Sequence, residues 1–315
     1  MITTPTVLIL GAGASASYRL PHGGDLIRHI QSRLSNKNSI FYRGILNAGF
    51  SEKEMSNFIS AVTKANPPSL DIFLEGNAEL IRLGKHLIAL TIKNIENTTD
   101  FNASNDDWLR YLFYTHLKTN YWDIHNNQLS IITFNYDRSV EQHLHDMLSG
   151  NNISVEQDKI SEAINKLKIL HVYDKLGPLE WQDSNGISFR VQEKELSSSN
   201  DILSKMANNI KIMPEASGYY EKFEEAKRLI REAKVVYFMG FGYHIVNLNR
   251  IDFPHIIKPG GFTPGKILQG TAWDLKPLEK KRLISNSNGL FNEGLNSNLR
   301  NVKCLSFLQE YAKIE

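Results

Sequence analysis

The chain has 315 residues, 41% of them hydrophobic, with 36 basic against 34 acidic side chains and a single cysteine, Cys304. That length and apolar content support one large core or two small ones, while a net charge of +2 gives no electrostatic basis for a nucleic-acid or membrane surface. One cysteine excludes a disulfide framework and a cysteine-rich zinc site, and with no basic, apolar leader and no run near the ~18 residues of a membrane span, a cytoplasmic protein is expected.

In chain order, the first predicted element is the most informative. Val7, Leu8, Ile9 and Leu10 read as a short buried strand, and Gly11-Ala12-Gly13-Ala14-Ser15 follows at once. Glycines there let the backbone turn sharply and approach a ligand, and N–H groups at the start of a following helix attract phosphate. Gly11, Gly13 and Ala16 satisfy the dinucleotide fingerprint G-x-G-x-x-G/A. A dehydrogenase also needs a second strand tipped by an acid about 20 residues on. No acidic residue lies between Asp25 and Glu52, and Leu26, Ile27, Ile30 and Leu34 share one helical face instead.

A long helical stretch follows. Ser51 with Glu54 fits a capping box ahead of Met55, Phe58, Ile59 and Val62. After Pro67-Pro68, Ser69 or Asp71 caps a predicted helix carrying Phe73, Leu80, Ile81 and Leu87, and residues 108–121 are rich in aromatics. Residues 25–127 therefore read as a helical insertion or cap over a ligand site. Residues 1–24 and 128–315 read as an α/β core, a Rossmann-like parallel sheet. Its further strands are predicted at Ile131–Phe134, Ile169–His171 and Val235–Met239, with helices marked by Val140, Leu144 and Leu148 and by Phe223, Ala226, Ile230 and Ala233. Segments 183–203 and 258–300, rich in Ser, Asn and Gly, read as loops.

Ligands of open α/β sheets sit at the carboxyl ends of strands, and the chemistry-bearing residues follow the strands here. The second ends in Thr133-Phe134-Asn135-Tyr136-Asp137, the third in His171 and the fourth in Gly240-Phe241-Gly242-Tyr243. Taken singly, Asn135 and Asp137 serve equally as helix caps, His171 as a satisfied core histidine, and Gly240 with Gly242 as a turn. Ser15 suits a phosphate contact or a cap, and Gly270-Thr271-Ala272 suits the adenine side of a nucleotide site. His143 and His145, two apart on a helix, do not share a face and are expected to face solvent rather than a metal. His22 sits in the turn after the first loop.

In order and rough spacing, these segments resemble the sirtuin superfamily, which carries G-A-G-x-S, T-Q-N-x-D, a strand-end catalytic histidine and a G-x-S/G loop. Leu20-Pro21 resembles the Ile-Pro step of sirtuins, and Ser69-Leu70-Asp71-Ile72-Phe73-Leu74 resembles a segment common in the bacterial sirtuin-like branch. The chain departs from the deacylases in lacking four zinc-binding cysteines. Phe134 stands for their glutamine, Val172 for the glycine after the histidine, and His22-Gly23-Gly24-Asp25 for D-F-R. With these departures it is similar to the zinc-free bacterial anti-phage sirtuin-like NAD hydrolases.

That resemblance implies NAD as substrate and no metal. It implies catalytic roles for Asn135 and His171, and NAD contacts from Gly11, Ala12, Gly13, Ser15, Asp137, Gly240, Phe241 and Gly242. The implied reaction is glycosidic: water replaces nicotinamide on the ribose and leaves ADP-ribose. Asn135 would orient a water or ribose hydroxyl, His171 would take its proton, and backbone N–H groups after Gly11 and Gly240 would hold the phosphates. The resemblance further implies an effector of abortive infection, held inactive by a homo-oligomer, by its own cap or by a regulatory partner such as a defence-system ATPase or nuclease-like subunit. Two other readings remain open at this stage: a zinc-free NAD-dependent protein deacylase, and a non-enzymatic sensor of NAD or ADP-ribose.

Overall fold

Five apolar or β-branched residues in succession, Thr6–Leu10, form β1, and all five side chains are buried, as a strand covered on both faces requires. The other strands are β2 (Leu129–Thr133), β3 (Lys168–His171), β4 (Val235–Met239), β5 (Ile267–Thr271) and β6 (Leu299–Arg300). This computed structural model describes residues 1–117, 120–191, 200–212, 219–253, 255, 266–273, 275–287, 289–292 and 297–315. The strands form one sheet in the order β3-β2-β1-β4-β5-β6, with every neighbouring pair parallel. The fold is the expected α/β, Rossmann-like one. Sheet growth reverses between β1 and β4, the switch point at which doubly wound sheets open a crevice. Leu10 lies beside Thr133 and Met239, and Thr133 beside His171, so the carboxyl ends of these strands finish level.

The α-helices, in chain order, are α1 (Ala12–Ser15), α2 (Gly23–Ser35), α3 (Ile40–Asn47), α4 (Glu52–Ala65), α5 (Leu70–Glu75), α6 (Ile81–Thr98), α7 (Trp108–Thr115), α8 (Ser139–Asn151), α9 (Gln157–Asn165), α10 (Asn200–Asn209), α11 (Tyr219–Glu232), α12 (Ile245–Arg250), α13 (Pro277–Asn286) and α14 (Cys304–Glu310). The capping box at Ser51 and Glu54 is present in full, and α2 buries Leu26, Ile27, Ile30 and Leu34 as its periodicity requires. No helix among the described residues is long and apolar enough to cross a membrane.

Three local expectations are corrected. The single helix expected from Ser69 through Leu87 is two, because α5 ends at Gly76 and the Asn77 amide takes the Phe73 carbonyl (2.6 Å). The chain then folds back, and Leu74 fills the space where a Cβ on Gly84 of α6 would stand. Secondly, part of the expected loops is regular: β5, β6 and α13 lie within 258–300, and α10 overlaps 183–203; residues 192–199, 258–265, 274, 288 and 293–296 of those segments lie outside the described residues. Thirdly, His143 and His145 are buried rather than solvent-facing. His143 bonds the Asp107 carboxylate (2.7 Å) and stacks on Phe101, while His145 stacks on Trp181.

The helical stretch is fastened to the sheet by polar groups that its burial obliges to pair. The Trp108 indole N–H donates to the carbonyl of Ala14 (2.8 Å), and the Tyr18 hydroxyl to Asp107 (2.9 Å). Helix α6 is buried on nearly every side, Lys93 and Glu96 included. Glu96 takes the guanidinium of Arg138 through both oxygens (3.2 and 2.6 Å) and its backbone N–H (3.0 Å). Lys93 donates to the carbonyls of Ser188 and Phe189 (2.6 Å each). The segment leaving β2 is thus clamped from behind, immediately after the residues that carry its chemistry.

Candidate functional site

The carboxyl edge of the sheet brings the β1, β2 and β4 exits together. The first and fourth interlock: the Gly11 N–H donates to the carbonyl of Met239 (3.1 Å), and the Gly13 N–H to that of Gly240 (2.9 Å). Ala14 N–H turns back to Gly11 (2.9 Å), and Gly240 N–H donates to the Thr271 hydroxyl at the end of β5 (2.8 Å). A Cβ on Gly13 would stand 2.8 Å from the Gly240 Cα, and one on Gly11 2.7 Å from the Gly240 carbonyl oxygen. The glycines therefore serve the contact between loops, and several N–H groups expected to meet phosphate are spent on it. Among the described residues, the N–H groups of Ala12, Phe241 and Gly242 donate to no protein acceptor.

Asn135 is pinned by its amide. Its Nδ2 donates to the Gly11 carbonyl (3.0 Å) and to the Ser15 hydroxyl (2.9 Å). The Gly11 oxygen can only accept, which assigns the nitrogen to that side. The amide oxygen of Asn135 makes no hydrogen bond among the described residues. The Ser15 hydroxyl in turn donates to one Asp137 oxygen (2.8 Å), and the other accepts from the N–H of Ser139 at the start of α8 (3.1 Å). Of the two capping candidates, Asp137 serves α8 in this way and Asn135 caps nothing. Ser15, the last residue of α1, makes no cap bond on the 3-10 turn Ala16–Tyr18 that follows it either. Burial pushes the Asp137 carboxyl up, opposed by the bonds from Ser139 and Ser15.

His171 stands behind Asn135. Its Nδ1 lies 2.9 Å from the Asn135 backbone oxygen and its Nε2 2.9 Å from Glu141 Oε1. Both ring nitrogens are thus occupied by protein partners, and neither is open to a substrate proton. Burial alone would raise the Glu141 carboxyl, but the His171 and Lys175 charges outweigh it and hold it well below the usual range. A depressed folded-state value adds stability that is present above the unfolded glutamate value of about 4.3 and fades as pH falls below it. Glu141→Gln should therefore cost about 1.5–3 kcal/mol near neutrality. The gap from the parent protein, read from denaturant midpoints across pH, should close on the acid side; a gap constant with pH would contradict the ion-pair assignment.

A cleft runs along this edge as three adjoining cavities that share Ala12 and Gly23 in their walls. The largest, about 940 Å³, is lined by Gly13, Arg28, Gly240, Trp273 and Lys303 among others. The second, about 300 Å³, holds Asn135, Asp71, Glu75, Tyr173, Phe241 and Arg250. The third, about 90 Å³, lies between Ser15, Asn135, Asp137 and Asp71. Asn135 and Asp71 thus face both smaller cavities, while His171 lines none of the three. Thr271 and Ala272 follow the same edge, Thr271 in the wall of the largest cavity and Ala272 buried behind it. His22 is exposed at the rim of that cavity. A separate cavity of about 250 Å³ lies at the opposite, amino edge of the sheet and contains none of these residues.

Sequence reasoning gave Asp71 as a helix cap and as part of the Ser69–Leu74 segment of the resemblance, without a role in the site, and did not single out Glu75, Tyr173, Arg250 or Trp273. Arg250 joins Glu75 (2.7 Å) and the Tyr173 hydroxyl, which in turn donates to Asn247 (2.6 Å). The one available signal was position: Tyr173 follows β3 by two residues, and Trp273 follows β5 by two. Among the described residues no group of His, Cys, Asp and Glu could hold a metal ion. A scan against protein-family models and a search of curated proteins each return no match for this chain.

Proposed function

We propose that this chain is an NAD glycohydrolase, which releases nicotinamide and leaves ADP-ribose. The observation that carries the reading is Asn135: its amide nitrogen is tied to the glycine loop, its amide oxygen has no protein partner, and it lines the crevice at the sheet's switch point. Doubly wound sheets bind dinucleotides at that point, and the combined cavities have the extent a dinucleotide needs.

On this reading the phosphates meet the N–H groups of Ala12, Phe241 and Gly242, with Arg28 and Lys303 supplying positive charge along the larger cavity. Trp273, more than half exposed at that cavity, offers an aromatic face to the adenine. The nicotinamide ribose lies toward the smaller cavities, where the Asn135 amide oxygen accepts from a ribose hydroxyl or from the attacking water. Nicotinamide departs as a neutral molecule, so no strong acid is needed. The barrier lies in positive charge growing on the ribose, which a fixed acceptor dipole lowers. His171 acts as a positioning residue that holds the Asn135 backbone. The resemblance to anti-phage NAD hydrolases extends the proposal to a defence effector restrained by a partner, by an oligomer or by residues 25–127.

The test is product analysis. Purified protein is incubated with NAD, with and without an acylated lysine peptide, and nicotinamide is quantified. Release without peptide is the expected result. Release only with peptide would establish the deacylase instead, and NAD binding without cleavage in every condition would establish a sensor.

A further inference from the structure

The hydrolysis proposed above needs a group that accepts a proton from water, and His171, bonded through both ring nitrogens to Asn135 and Glu141, lines none of the three cavities. Both Asp137 oxygens are bonded, to Ser15 and to the Ser139 N–H, and the residue is buried. Glu141 is buried between His171 and Lys175 and lines none of the cavities. Glu75 is paired with Arg250. Asp25 lines only the larger cavity and is paired with Arg28. Asp71 differs from all of these. It lines both cavities that Asn135 lines, it has no cationic partner within salt-bridge distance among the described residues, and its Oδ1 takes one bond, from the Tyr136 hydroxyl (2.6 Å).

We propose that Asp71 is a catalytic residue of this site, the carboxylate that takes the proton from the water attacking the nicotinamide ribose. The inference rests on the glycohydrolase reading and deepens it. The water oxygen forms a bond to C1′ as the C1′–N bond breaks. That bonding pair returns to the pyridinium ring, so nicotinamide leaves neutral. The water proton passes to the Asp71 carboxylate and then to solvent, and ADP-ribose remains with an anomeric hydroxyl. Burial raises the Asp71 carboxyl, with the Tyr136 bond opposing, Glu75 adding to the rise and Arg250 reducing it. A carboxylate raised in this way is a better proton acceptor than a free one. Tyr173, Tyr243 and His244 are the other titratable side chains of that cavity.

Three variants of the full chain test it. Asp71→Asn should lower the turnover for nicotinamide release by about 10²–10⁴-fold, the usual worth of a positioned acid or base, while NAD affinity and the thermal midpoint stay near the parent values. Asp71→Ala should regain turnover when azide is added, with an ADP-ribosyl azide as product, because the small anion enters the vacated space and needs no proton removed. Tyr136→Phe removes the bond that lowers the Asp71 value, so the acid limb of the turnover profile should move to higher pH. Full turnover in Asp71→Asn would overturn the assignment, as would an Asp71→Ala protein that azide does not rescue. The parent protein separates the two levels: if it releases no nicotinamide, the glycohydrolase reading fails and this inference falls with it, whereas a parent that cleaves NAD alongside a fully active Asp71→Asn sinks this inference alone.

Discussion

Asn135→Ala should lower nicotinamide release by about 10²–10³-fold, the loss typical for removing one preorganised polar group from a reacting centre. The effect should fall on turnover, because the amide oxygen has no protein partner to lose and its interaction strengthens only as charge develops on the ribose. Two bonds are lost with the side chain, those to Gly11 and Ser15. At roughly 1 kcal/mol each, their loss leaves the protein folded, and a thermal midpoint within several degrees of the parent checks this. Asn135→Asp separates the two ends of the amide. It keeps an oxygen toward the cleft but sets a second oxygen against the Gly11 carbonyl, which only accepts. Release should therefore fall in this variant too, with a larger loss of stability than in the alanine variant. Full activity in Asn135→Ala would remove the residue on which the functional reading stands.

The second large effect is structural. Gly240 has φ +58°, and a Cβ there would stand 2.0 Å from the backbone nitrogen of Ala14. Left-handed backbone costs an L-residue roughly 1–2 kcal/mol, and overlap with a fixed backbone adds about 1–3 kcal/mol. Gly240→Ala should therefore destabilise the protein by several kilocalories per mole and separate the β1 and β4 loops, with loss of NAD binding. Gly242 is the control from the same turn: a Cβ there meets nothing within 4 Å. Gly242→Ala should stay within about 0.5 kcal/mol of the parent, as open surface positions do. Denaturant midpoints of the two variants decide the matter, and equal stabilities would contradict the interlocked-loop geometry.

The central strands and the residues following them are legible in the sequence because burial on both faces demands unbroken apolar runs. Val235–Met239 appears as read, and β1 and β3 are each one residue longer than expected. The strand expected at Ile131–Phe134 begins earlier, at Leu129, and ends at Thr133. The β5–β6 side escaped: Gln269 and Gly270 interrupt the apolar run of β5, and the edge strand β6 is only two residues long and pairs with residues distant in sequence.

The amino-acid order alone determined the α/β class, the glycine loop, and the placement of Asn135, His171 and Gly240 at strand ends. It did so because those features are local: a strand's burial pattern and a turn's need for glycine are written in adjacent residues. Only the tertiary structure decided what each group is free to do. It spent the N–H groups of Gly11, Gly13 and Gly240 on Met239, Gly240 and Thr271 and turned the Asn135 amide by way of Gly11 and Ser15. It also closed both nitrogens of His171 against partners 36 and 30 residues away, and brought Asp71 to Tyr136 across 65 residues of chain. Hydrogen-bond commitments between distant segments leave no periodic trace in a sequence, because each rests on a single pair of atoms that folding alone brings within 3 Å.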